Sequence, residues 1–332
     1  MTLLVTGMAG FIGHAVADAL AARGEQVIGI DNLNDYYDPA LKQARLADLA
    51  ARHGDAIRFV AGDIADADAI GRAIAGQGVD RIVHLAAQAG VRYSLVNPQA
   101  YVRANVVGHV NVLEAARAIG VRHLVYASSS SVYGGNDRLP FRVEDRVDHP
   151  VSLYAATKRA DELMSETYAH LFRIPQTGLR FFTVYGPWGR PDMAVWLFTA
   201  AILAGRSIAV FNHGRMRRDF TFIDDIVAGI LAALDAPPAD DGAVKPGGSV
   251  APHAIYNLGN SDAEELGRLI DVIESACGRP AVRDYQPIQP GDVVATFADI
   301  APARDRLGFN PGTPIDRGVA RFVDWYRGYH EG

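Results

Sequence analysis

Three closely spaced glycines near the start of the chain constrain the fold more than any other feature of the sequence. They are Gly7, Gly10 and Gly13. They follow an apolar stretch, residues 2–6, and lead into a helical apolar pattern that stops near Gly24. A second apolar stretch, residues 26–30, then ends on Asp31. A strand, a glycine turn, a helix and a second strand in this order predict the first unit of an open parallel sheet.

The same unit predicts a bound dinucleotide. Glycines let the main chain approach a pyrophosphate, whose charge the N-terminus of the following helix faces. Asp31 stands where a carboxylate accepts hydrogen bonds from the adenosine ribose, and it would repel a 2′-phosphate, so NAD is favoured over NADP. The glycine spacing of three and three differs from the Gly-x-Gly-x-x-Gly of the common dehydrogenases. A lone glycine turn can be only a turn, but the strand–turn–helix–strand–Asp setting favours the cofactor.

Further apolar stretches alternate with helical patterns and extend this sheet. The additional strands are predicted at residues 57–60, 81–85, 123–127 and 177–182. The helices between them are predicted at residues 66–75, 99–120 and 150–172. Strands that alternate with helices are typical of a Rossmann-type, doubly wound parallel sheet. We therefore expect an α/β fold of this kind with a smaller C-terminal α/β lobe.

The length of 332 residues predicts two structural units. We expect an NAD-binding domain over residues 1–180, to which a segment at about 219–235 returns. We expect residues 181–332 to form a discontinuous lobe that binds the substrate. Residues 236–254, which are rich in Pro, Gly and Asp, are interpreted as a surface insertion.

Composition excludes several classes of function. The formal net charge of −6 argues against a nucleic-acid or an anionic-membrane partner. No apolar run reaches the roughly 18 residues that a membrane helix needs. The single cysteine, Cys277, excludes an intrachain disulfide and suits a reducing compartment. We therefore expect a cytoplasmic protein.

A tyrosine and a lysine four residues apart are the strongest candidates for catalysis. Tyr154 and Lys158 fall in a predicted helix, where this spacing places them on one face. A free tyrosine has a pKa of about 10, and a neighbouring ammonium favours the phenolate. Such a pair can remove a proton from a hydroxyl while a hydride leaves the same carbon. The spacing alone also occurs by chance on helix surfaces, so its meaning depends on the rest of the chain.

Four other polar positions lie near predicted strand ends or in the long helix. Asp63 either accepts a hydrogen bond from the adenine amino group or caps the next helix. Asn105 is expected to hold a main-chain bend or a water near the nicotinamide. A serine run, residues 128–131, follows a strand, where open α/β sheets place their chemistry. His84 lies inside a strand and is interpreted as a core histidine rather than a catalytic one.

Taken together, the motifs resemble an extended short-chain dehydrogenase/reductase of the nucleotide-sugar epimerase and dehydratase group. The resemblance extends over nearly the whole chain, and the motifs are in the order of the group. The matching motifs are Thr6-Gly7-x-x-Gly10-x-x-Gly13, Asp31, Asp63, His84-Leu85-Ala86-Ala87, the serines before Val132-Tyr133-Gly134, Tyr154-x-x-x-Lys158 and Arg180-Phe181-Phe182-Thr183-Val184-Tyr185-Gly186-Pro187. The resemblance implies NAD as the cofactor, with no metal ion. It places NAD at Gly7, Gly10, Phe11, Ile12, Gly13, Asp31, Asn32, Asp63, Ile64, Leu85, Ala86, Ala87, Gln88, Asn105, Tyr154, Lys158 and Phe181.

Within that group, the chain is most similar to the UDP-glucuronate 4-epimerases. The similar stretches are residues 87–94, 181–194 and 216–221. The resemblance implies a UDP-sugar substrate held by Arg92, Ser129, Thr183, Tyr185, Arg190, Arg218, Gln289 and Asp292. In the group, the arginine at the position of Arg218 touches the diphosphate, and the aspartate at the position of Asp292 holds the nucleotide ribose.

A uronate needs a partner for its carboxylate. An arginine fork meets a carboxylate with two parallel hydrogen bonds. Arg92, Thr183 and Arg190 are the candidates for this contact, with Arg190 alternatively reaching the phosphates. By itself, a cluster of arginines is more often a solvated face.

The serine run bears on the type of reaction. Relatives that dehydrate or decarboxylate nucleotide sugars place an acid at the position of Ser130 or Ser131, where this chain has hydroxyls only. We therefore expect NAD-dependent 4-epimerisation through a 4-keto intermediate, with NAD retained. Tyr154 is expected to act as the base and Lys158 as its partner, while Ser129 or Ser131 relays the proton. The alternatives are a 4-epimerase of a neutral UDP-hexose, a UDP-glucuronate decarboxylase and, more remotely, a non-catalytic NAD-sensing protein.

The resemblance also implies an oligomer. In the group, the helices that correspond to residues 99–120 and 150–172 pack against those of a second subunit as a four-helix bundle. We therefore expect a homodimer whose small-molecule partner is a UDP-sugar.

Overall fold

A computed structural model describes residues 1–288 and 293–331 of the chain. Its centre is a seven-stranded sheet in which neighbouring strands are parallel. The described residues form twelve strands in all, in this sheet and in two smaller ones. They are β1 (Thr2–Thr6), β2 (Gln26–Asp31), β3 (Ile57–Ala61), β4 (Val79–His84), β5 (His123–Ser129), β6 (Gln176–Phe181), β7 (Thr183–Tyr185), β8 (Ser207–Phe211), β9 (Arg217–Phe222), β10 (His253–Leu258), β11 (Ala263–Glu265) and β12 (Val282–Gln286).

Helices cover both faces of this sheet and build much of the lobe. They are α1 (Phe11–Ala22), α2 (Pro39–His53), α3 (Ala67–Ile74), α4 (Pro98–Tyr101), α5 (Gly108–Ile119), α6 (Leu153–Phe172), α7 (Ala194–Leu203), α8 (Ile223–Asp235), α9 (Leu266–Cys277), α10 (Ala301–Leu307) and α11 (Ile315–Glu331). A π-helical segment, Val102–Val107, joins α4 to α5, where the sequence predicts one regular helix. In the described ranges, no helix has both the length and the hydropathy to span a bilayer.

The strand order places a crevice at the middle of the sheet. The order is β10-β6-β5-β4-β1-β2-β3, so the chain leaves β1 toward one edge and returns at β4 toward the other. A crevice opens at such a reversal, outside the carboxyl ends of the strands. The glycine turn follows β1, Asp31 ends β2 and the serine run begins at the end of β5. The sheet therefore brings these three motifs to one edge.

The strands of the sheet are buried on both faces. Leu3 and Val5 of β1 belong to one apolar cluster, whereas Leu4 between them belongs to another. Because successive side chains of a strand point to opposite faces, these clusters lie on opposite sides of the sheet. Continuous apolar strands are what a parallel sheet covered by helices requires. The structure confirms the Rossmann-type doubly wound fold that the sequence predicts.

His84 is a core residue, as its sequence position predicts. It is 3% exposed, and its Nδ1 lies 2.6 Å from the Oγ1 of Thr6 on the neighbouring strand. Burial, and then the charge of Lys158, lower the pKa of His84 to about 3. A histidine that is neutral and bound within the sheet serves to pack β1 against β4.

The seventh strand of the sheet is not found by the sequence patterns. β10 pairs in parallel with β6, and all six of its residues are buried. It begins inside the segment 236–254, which the sequence assigns to a surface insertion. The returning segment is therefore longer than the predicted residues 219–235. After α8, the chain adds β10 to the sheet and extends to residue 258.

The C-terminal lobe is assembled from separated segments beside the crevice. β9 pairs in parallel with β7 and antiparallel with β11. β8 pairs in parallel with β12. β7 and β9 carry Thr183 and Arg218, so the lobe brings both residues to the edge of the crevice.

Candidate active site

A cavity of about 440 Å3 lies along the carboxyl ends of the parallel strands. Its size is that of sites for small-molecule ligands. Most residues that the sequence analysis singles out line it, namely Gly7, Gly10, Phe11, Ile12, Gly13, Asp31, Asn32, Asp63, Ile64, Leu85, Ala86, Ala87, Gln88, Ser129, Ser131, Tyr154, Lys158, Phe181, Thr183, Arg190 and Arg218. Arg92, Asn105 and Tyr185 are not among the described lining residues. Gln289 and Asp292 lie outside the described residues.

The glycine turn forms one end of the cavity. Gly7 has a φ of 73°, and a Cβ on Gly13 would lie 2.0 Å from the Gly7 carbonyl oxygen. The side chains of the described residues leave the start of α1, at Gly10, uncapped. The first N–H groups of the helix are therefore available to a ligand, and a helix N-terminus favours an anion. This turn fits the pyrophosphate of a dinucleotide.

Asp31 connects the end of β2 to the glycine turn. Its carboxylate accepts hydrogen bonds from the main-chain N–H of Ala9 at 3.2 Å and of Leu33 at 2.9 Å. Burial raises the pKa of Asp31, against the pull of these N–H groups and of Lys42. Lys42 also lines the cavity, and its ammonium donates to two oxygens of Asn34 at 2.7 Å. The sequence does not identify Lys42, because it lies in a polar crossover without a motif.

Asp63 lines the cavity but does not cap the next helix. It accepts from the N–H of Ala65 at 2.9 Å and pairs with Arg103 at 3.1 Å. The cap of α3 is Asp66, whose carboxylate accepts from the N–H of Asp68 at 3.0 Å. The interpretation of Asp63 as a helix cap is therefore wrong, whereas its contact with adenine stays a prediction.

Asn105 acts on the main chain behind the cavity. It lies in the π-helical segment and is 1% exposed. Its Oδ1 accepts from the N–H of Gln88 at 2.8 Å, and its Nδ2 donates to the Gln88 carbonyl at 3.1 Å. The same Nδ2 donates to Thr157 on α6 at 3.0 Å. Asn105 therefore fixes the position of the bend after β4 relative to α6, the helix that carries Tyr154.

Tyr154 and Lys158 lie one turn apart on α6, and both line the cavity. The ammonium of Lys158 donates to the Ala127 carbonyl and to the Asp161 carboxylate, each at 3.0 Å. Burial raises the pKa of Asp161 to about 6, against the pull of Lys158. The sequence analysis does not single out Asp161, although its spacing of three residues from Lys158 is a signal for a helical ion pair.

A buried ion pair holds the serine run in place. Ser128 donates to Glu162 at 2.6 Å, and Arg180 donates to both oxygens of the same carboxylate at 2.8 and 3.0 Å. Beyond this anchor, the hydroxyl of Ser129 lies 3.1 Å from that of Ser131. Both hydroxyls line the cavity, so the end of β5 presents two adjacent proton donors and acceptors.

Three residues assigned to the substrate line the lobe side of the cavity. They are Thr183, Arg190 and Arg218. Arg190 donates to Asp192 through Nε at 2.9 Å and through Nη2 at 2.5 Å. Tyr36, from the segment after β2, donates to the same carboxylate at 2.9 Å. The guanidinium of Arg218 is held by the Val294 carbonyl at 3.1 Å and by its neighbouring main chain.

Two further residues assigned to the substrate are not among the described lining residues. Arg92 is exposed, and its guanidinium carbon lies 4.5 Å from the centre of the Phe211 ring, where a cation–π contact holds it. Tyr185 is buried, with its ring centre 5.5 Å from that of Phe222 and 6.3 Å from that of Phe220. Because β7 pairs with β9, the ring of Tyr185 joins the aromatic residues of that strand instead of the cavity.

The acidic groups of the cavity stand at one end. Asp31 and Asp63 are the carboxylates among the described residues that line it. They follow β2 and β3, whereas Tyr154 and the serines lie on the side of β4 and β5. The catalytic end therefore offers a phenol, an ammonium and hydroxyls. These groups can move a proton to and from an alcohol, but they do not supply the additional carboxylic acid that elimination uses.

Comparison with known proteins agrees with this arrangement. The sequence matches the NAD dependent epimerase/dehydratase family over residues 3–259. A probable UDP-glucuronate 4-epimerase of Rhizobium meliloti (strain 1021) is 47% identical over 98% of this chain and 97% of its own. A UDP-glucuronic acid 4-epimerase from Bacillus cereus, crystallised with UDP-glucuronic acid and NAD, has a TM-score of 0.88 at 31% identity, over 99% of this chain and 100% of its own. A UDP-glucose 4-epimerase from Thermotoga maritima, crystallised with UDP-glucose, has a TM-score of 0.87 at 28% identity, over 99% of this chain and 100% of its own. The fold is thus common to epimerases named for an acidic and for a neutral sugar.

Proposed function

This chain belongs to the NAD dependent epimerase/dehydratase family, and from that premise we propose that it interconverts UDP-glucuronate and UDP-galacturonate with tightly bound NAD. The reaction is an epimerisation at C4, so the enzyme is an isomerase. The Rhizobium relative and the Bacillus cereus structure are named for this activity. The observation that carries the proposal is the catalytic end of the cavity. There Tyr154 and Lys158 stand with two serine hydroxyls, and the described lining has its carboxylates elsewhere.

The residues present fit NAD. The glycine turn packs so closely against Gly13 that there is no room for a Cβ there. No side chain of the described residues caps the N-terminus of α1, which can therefore bind a pyrophosphate. Asp31 would hold the adenosine ribose, and Lys158 the nicotinamide ribose. When bound, NAD accepts the hydride of C4 and returns it, so the cofactor is unchanged after each turnover.

The protein's own groups move one proton and hold the sugar. Tyr154, as phenolate, removes the proton of the C4 hydroxyl and later returns it to the C4 oxygen. The ammonium of Lys158 stabilises the phenolate electrostatically. Ser129 or Ser131 hydrogen-bonds the C4 oxygen and relays the proton. The 4-keto sugar turns about its diphosphate bonds between the two transfers, which exposes the opposite face of C4.

The carboxylate of the substrate needs a fixed position. The 4-keto uronate is a β-keto acid, which loses CO2 readily when its C5–C6 bond stands perpendicular to the plane of the C4 carbonyl. Thr183 and Arg190 line the cavity and are our candidates for this contact. Arg92 is a weaker candidate because its guanidinium lies against Phe211. Arg218 would bind the diphosphate, and the roles of Gln289 and Asp292 at the nucleotide stay predictions.

One incubation tests the proposal. Purified protein is mixed with UDP-glucuronate without added NAD, and the sugar nucleotides are followed by proton NMR. UDP-galacturonate without UDP-pentose is the expected product. A UDP-pentose would instead support the decarboxylase, and turnover of UDP-glucose but not of UDP-glucuronate would support the neutral-sugar epimerase. Bound NAD without turnover of either sugar would support a sensing protein.

A substitution of the base tests the mechanism. Tyr154→Phe removes the hydroxyl that exchanges the proton, and general acid–base catalysis typically contributes about 10²–10⁴-fold. We expect at least a hundredfold loss of kcat with NAD still bound. The matched control is Tyr168→Phe on the same helix, whose hydroxyl bonds Glu114 and should leave kcat unchanged. Near-normal turnover of Tyr154→Phe would refute the assignment.

We also propose a homodimer in the cytoplasm. Large apolar side chains are exposed on α6 and on the π-helical segment that continues into α5, with Leu163 53%, Leu171 61% and Val107 44% exposed. A second copy of α5 and α6 would cover them in a four-helix bundle. Light scattering should give a dimer mass for the protein and a monomer mass for Leu163→Glu, with Leu197→Glu on α7 as the control. The location rests on the single cysteine, Cys277, which is buried and free.

A further inference from the structure

Asp192 binds Arg190, and Tyr36 in turn binds Asp192; the proposed chemistry uses neither residue. Asp192 binds it through Nε at 2.9 Å and through Nη2 at 2.5 Å. Tyr36 donates to the same Asp192 carboxylate at 2.9 Å. Arg190 lines the cavity, whereas Asp192 is not among the described lining residues. The carboxylate therefore stands behind the guanidinium and not between it and the ligand space.

This arrangement leaves one edge of the guanidinium for a ligand. A guanidinium offers five N–H donors in a rigid plane. Asp192 uses the edge formed by Nε and Nη2. The edge formed by Nη1 and the second hydrogen of Nη2 has the same fork geometry and can bind another carboxylate with two hydrogen bonds. Fixing one edge on Asp192 fixes the direction of the other.

Tyr36 connects this arginine to the cofactor side of the molecule. It lies in the segment after β2, near Leu33, whose N–H is bound by Asp31. Burial, followed by the charge of Asp192, raises the pKa of Tyr36, so its hydroxyl remains a donor. The ring of Tyr36 also packs at 4.8 Å from that of Tyr93. The orientation of Arg190 therefore depends on a segment of the NAD-binding domain.

We propose that Asp192 and Tyr36 are positioning residues that aim the free edge of Arg190 at the carboxylate of the substrate. They thereby set the preference of the site for an acidic sugar over a neutral one. The inference rests on the proposed function and names two residues that determine its substrate class. An arginine that is already ordered does not lose its side-chain freedom on binding, and this saving corresponds to as much as about tenfold in affinity.

The test compares three ligands on the NAD-loaded protein by calorimetry. They are UDP-glucuronate, UDP-glucose and UDP. Asp192→Asn should weaken the binding of UDP-glucuronate about tenfold. The affinities for UDP-glucose and UDP should stay within about twofold of those of the unmodified protein. Tyr36→Phe should also weaken the binding of UDP-glucuronate, but by a smaller factor. The matched control is Asp224→Asn, which breaks an exposed aspartate–arginine pair with Arg321 and should change none of the three.

Each other outcome has one meaning. Equal weakening of all three ligands by Asp192→Asn would show a general structural role and overturn the proposal. Unchanged or tighter binding of UDP-glucuronate would also overturn it, because Asp192 would then have no effect or would compete with the substrate. If the unmodified protein does not prefer UDP-glucuronate to UDP-glucose, the proposed substrate itself is wrong and this inference fails with it. If it does prefer UDP-glucuronate and Asp192→Asn keeps that ratio, only the inference fails.

Discussion

Replacing Glu162 with Gln removes the counter-charge of a buried arginine. Arg180 is 2% exposed and Glu162 1%, and two hydrogen bonds join them at 2.8 and 3.0 Å. Burial acts to raise the pKa of Glu162, but the charge and the hydrogen bonds of Arg180 lower it below its ordinary value. The pair is therefore ionic. The substitution preserves the size of the side chain and leaves a buried guanidinium without its carboxylate.

The expected loss of stability is large. Removing one partner of a buried ion pair costs about 3–5 kcal/mol. Because the entropy of unfolding grows with chain length, each kcal/mol lowers the Tm of a 332-residue chain by about 1.5 °C, so the Tm should fall by about 4–7 °C. The matched control is Arg159→Gln. Arg159 donates to the same carboxylate at 3.0 Å, but its side chain is 27% exposed. A pair of that kind contributes about 1 kcal/mol or less, so its loss should lower the Tm by at most about 1.5 °C.

The same substitution should reduce turnover. Ser128 loses its ionic acceptor on Glu162, and the neighbouring hydroxyls of Ser129 and Ser131 are then held less firmly. We expect kcat at 25 °C to fall about tenfold while NAD stays bound, because loss of alignment alone has effects of this order or larger. Scanning calorimetry and the epimerase assay measure the two effects. Equal shifts in Tm for Glu162→Gln and Arg159→Gln would refute the reasoning, as would a failure of Glu162→Met with Arg180→Met to restore part of the stability.

Two further predictions follow from single carboxylates. The pKa of Asp161, about 6, lies above its ordinary 3.8, so its contribution to stability is complete below about pH 4 and is lost as the pH rises through about 6. Relative to Asp161→Asn, the unmodified protein should therefore become less stable between pH 5 and pH 7.5 in urea titrations, and a constant or growing advantage over that range would contradict the prediction. Asp31→Asn removes the charge that repels a 2′-phosphate and should narrow the preference for NAD over NADP by about tenfold in equilibrium binding, with Asp35→Asn as the control. An unchanged preference would show that Asp31 does not select the cofactor.

The parts of the site that the sequence predicts are those formed by local chain geometry. The turn from β1 into α1, the carboxylate at the end of β2 and the pair on α6 are each specified within one or two adjacent elements. Asp161 has the same kind of signal, because it lies three residues after Lys158 on the same helix. A helical pattern does not show, however, that both side chains are buried. That burial is what gives the pair its electrostatic effect.

The parts that the sequence does not predict depend on where separate segments meet. β10 reads as a short apolar run after a Pro- and Gly-rich segment, and only its pairing with β6 makes it part of the sheet. Arg92 has the charge to bind a uronate, but its guanidinium makes a cation–π contact with the ring of Phe211 from the lobe. Tyr185 is drawn into the aromatic residues of β9. Charge and residue type are visible in a sequence, whereas these competing partners are brought in from distant positions.

Arg45 shows how the cofactor end and the substrate end of the cavity are connected. It is fully buried, and it donates to the carbonyl of Ala9 in the glycine turn at 2.9 Å. It also donates to the carbonyls of Trp188 at 2.6 Å and Gly189 at 3.1 Å, which immediately precede Arg190. Moving the glycine turn away from a bound pyrophosphate would therefore break hydrogen bonds of a buried charge and displace Arg190, which we assign to the sugar. Local opening that large is costly. The buried guanidinium of Arg45 thus favours retention of the cofactor through many turnovers. An epimerase that returns the same hydride to its substrate requires such retention.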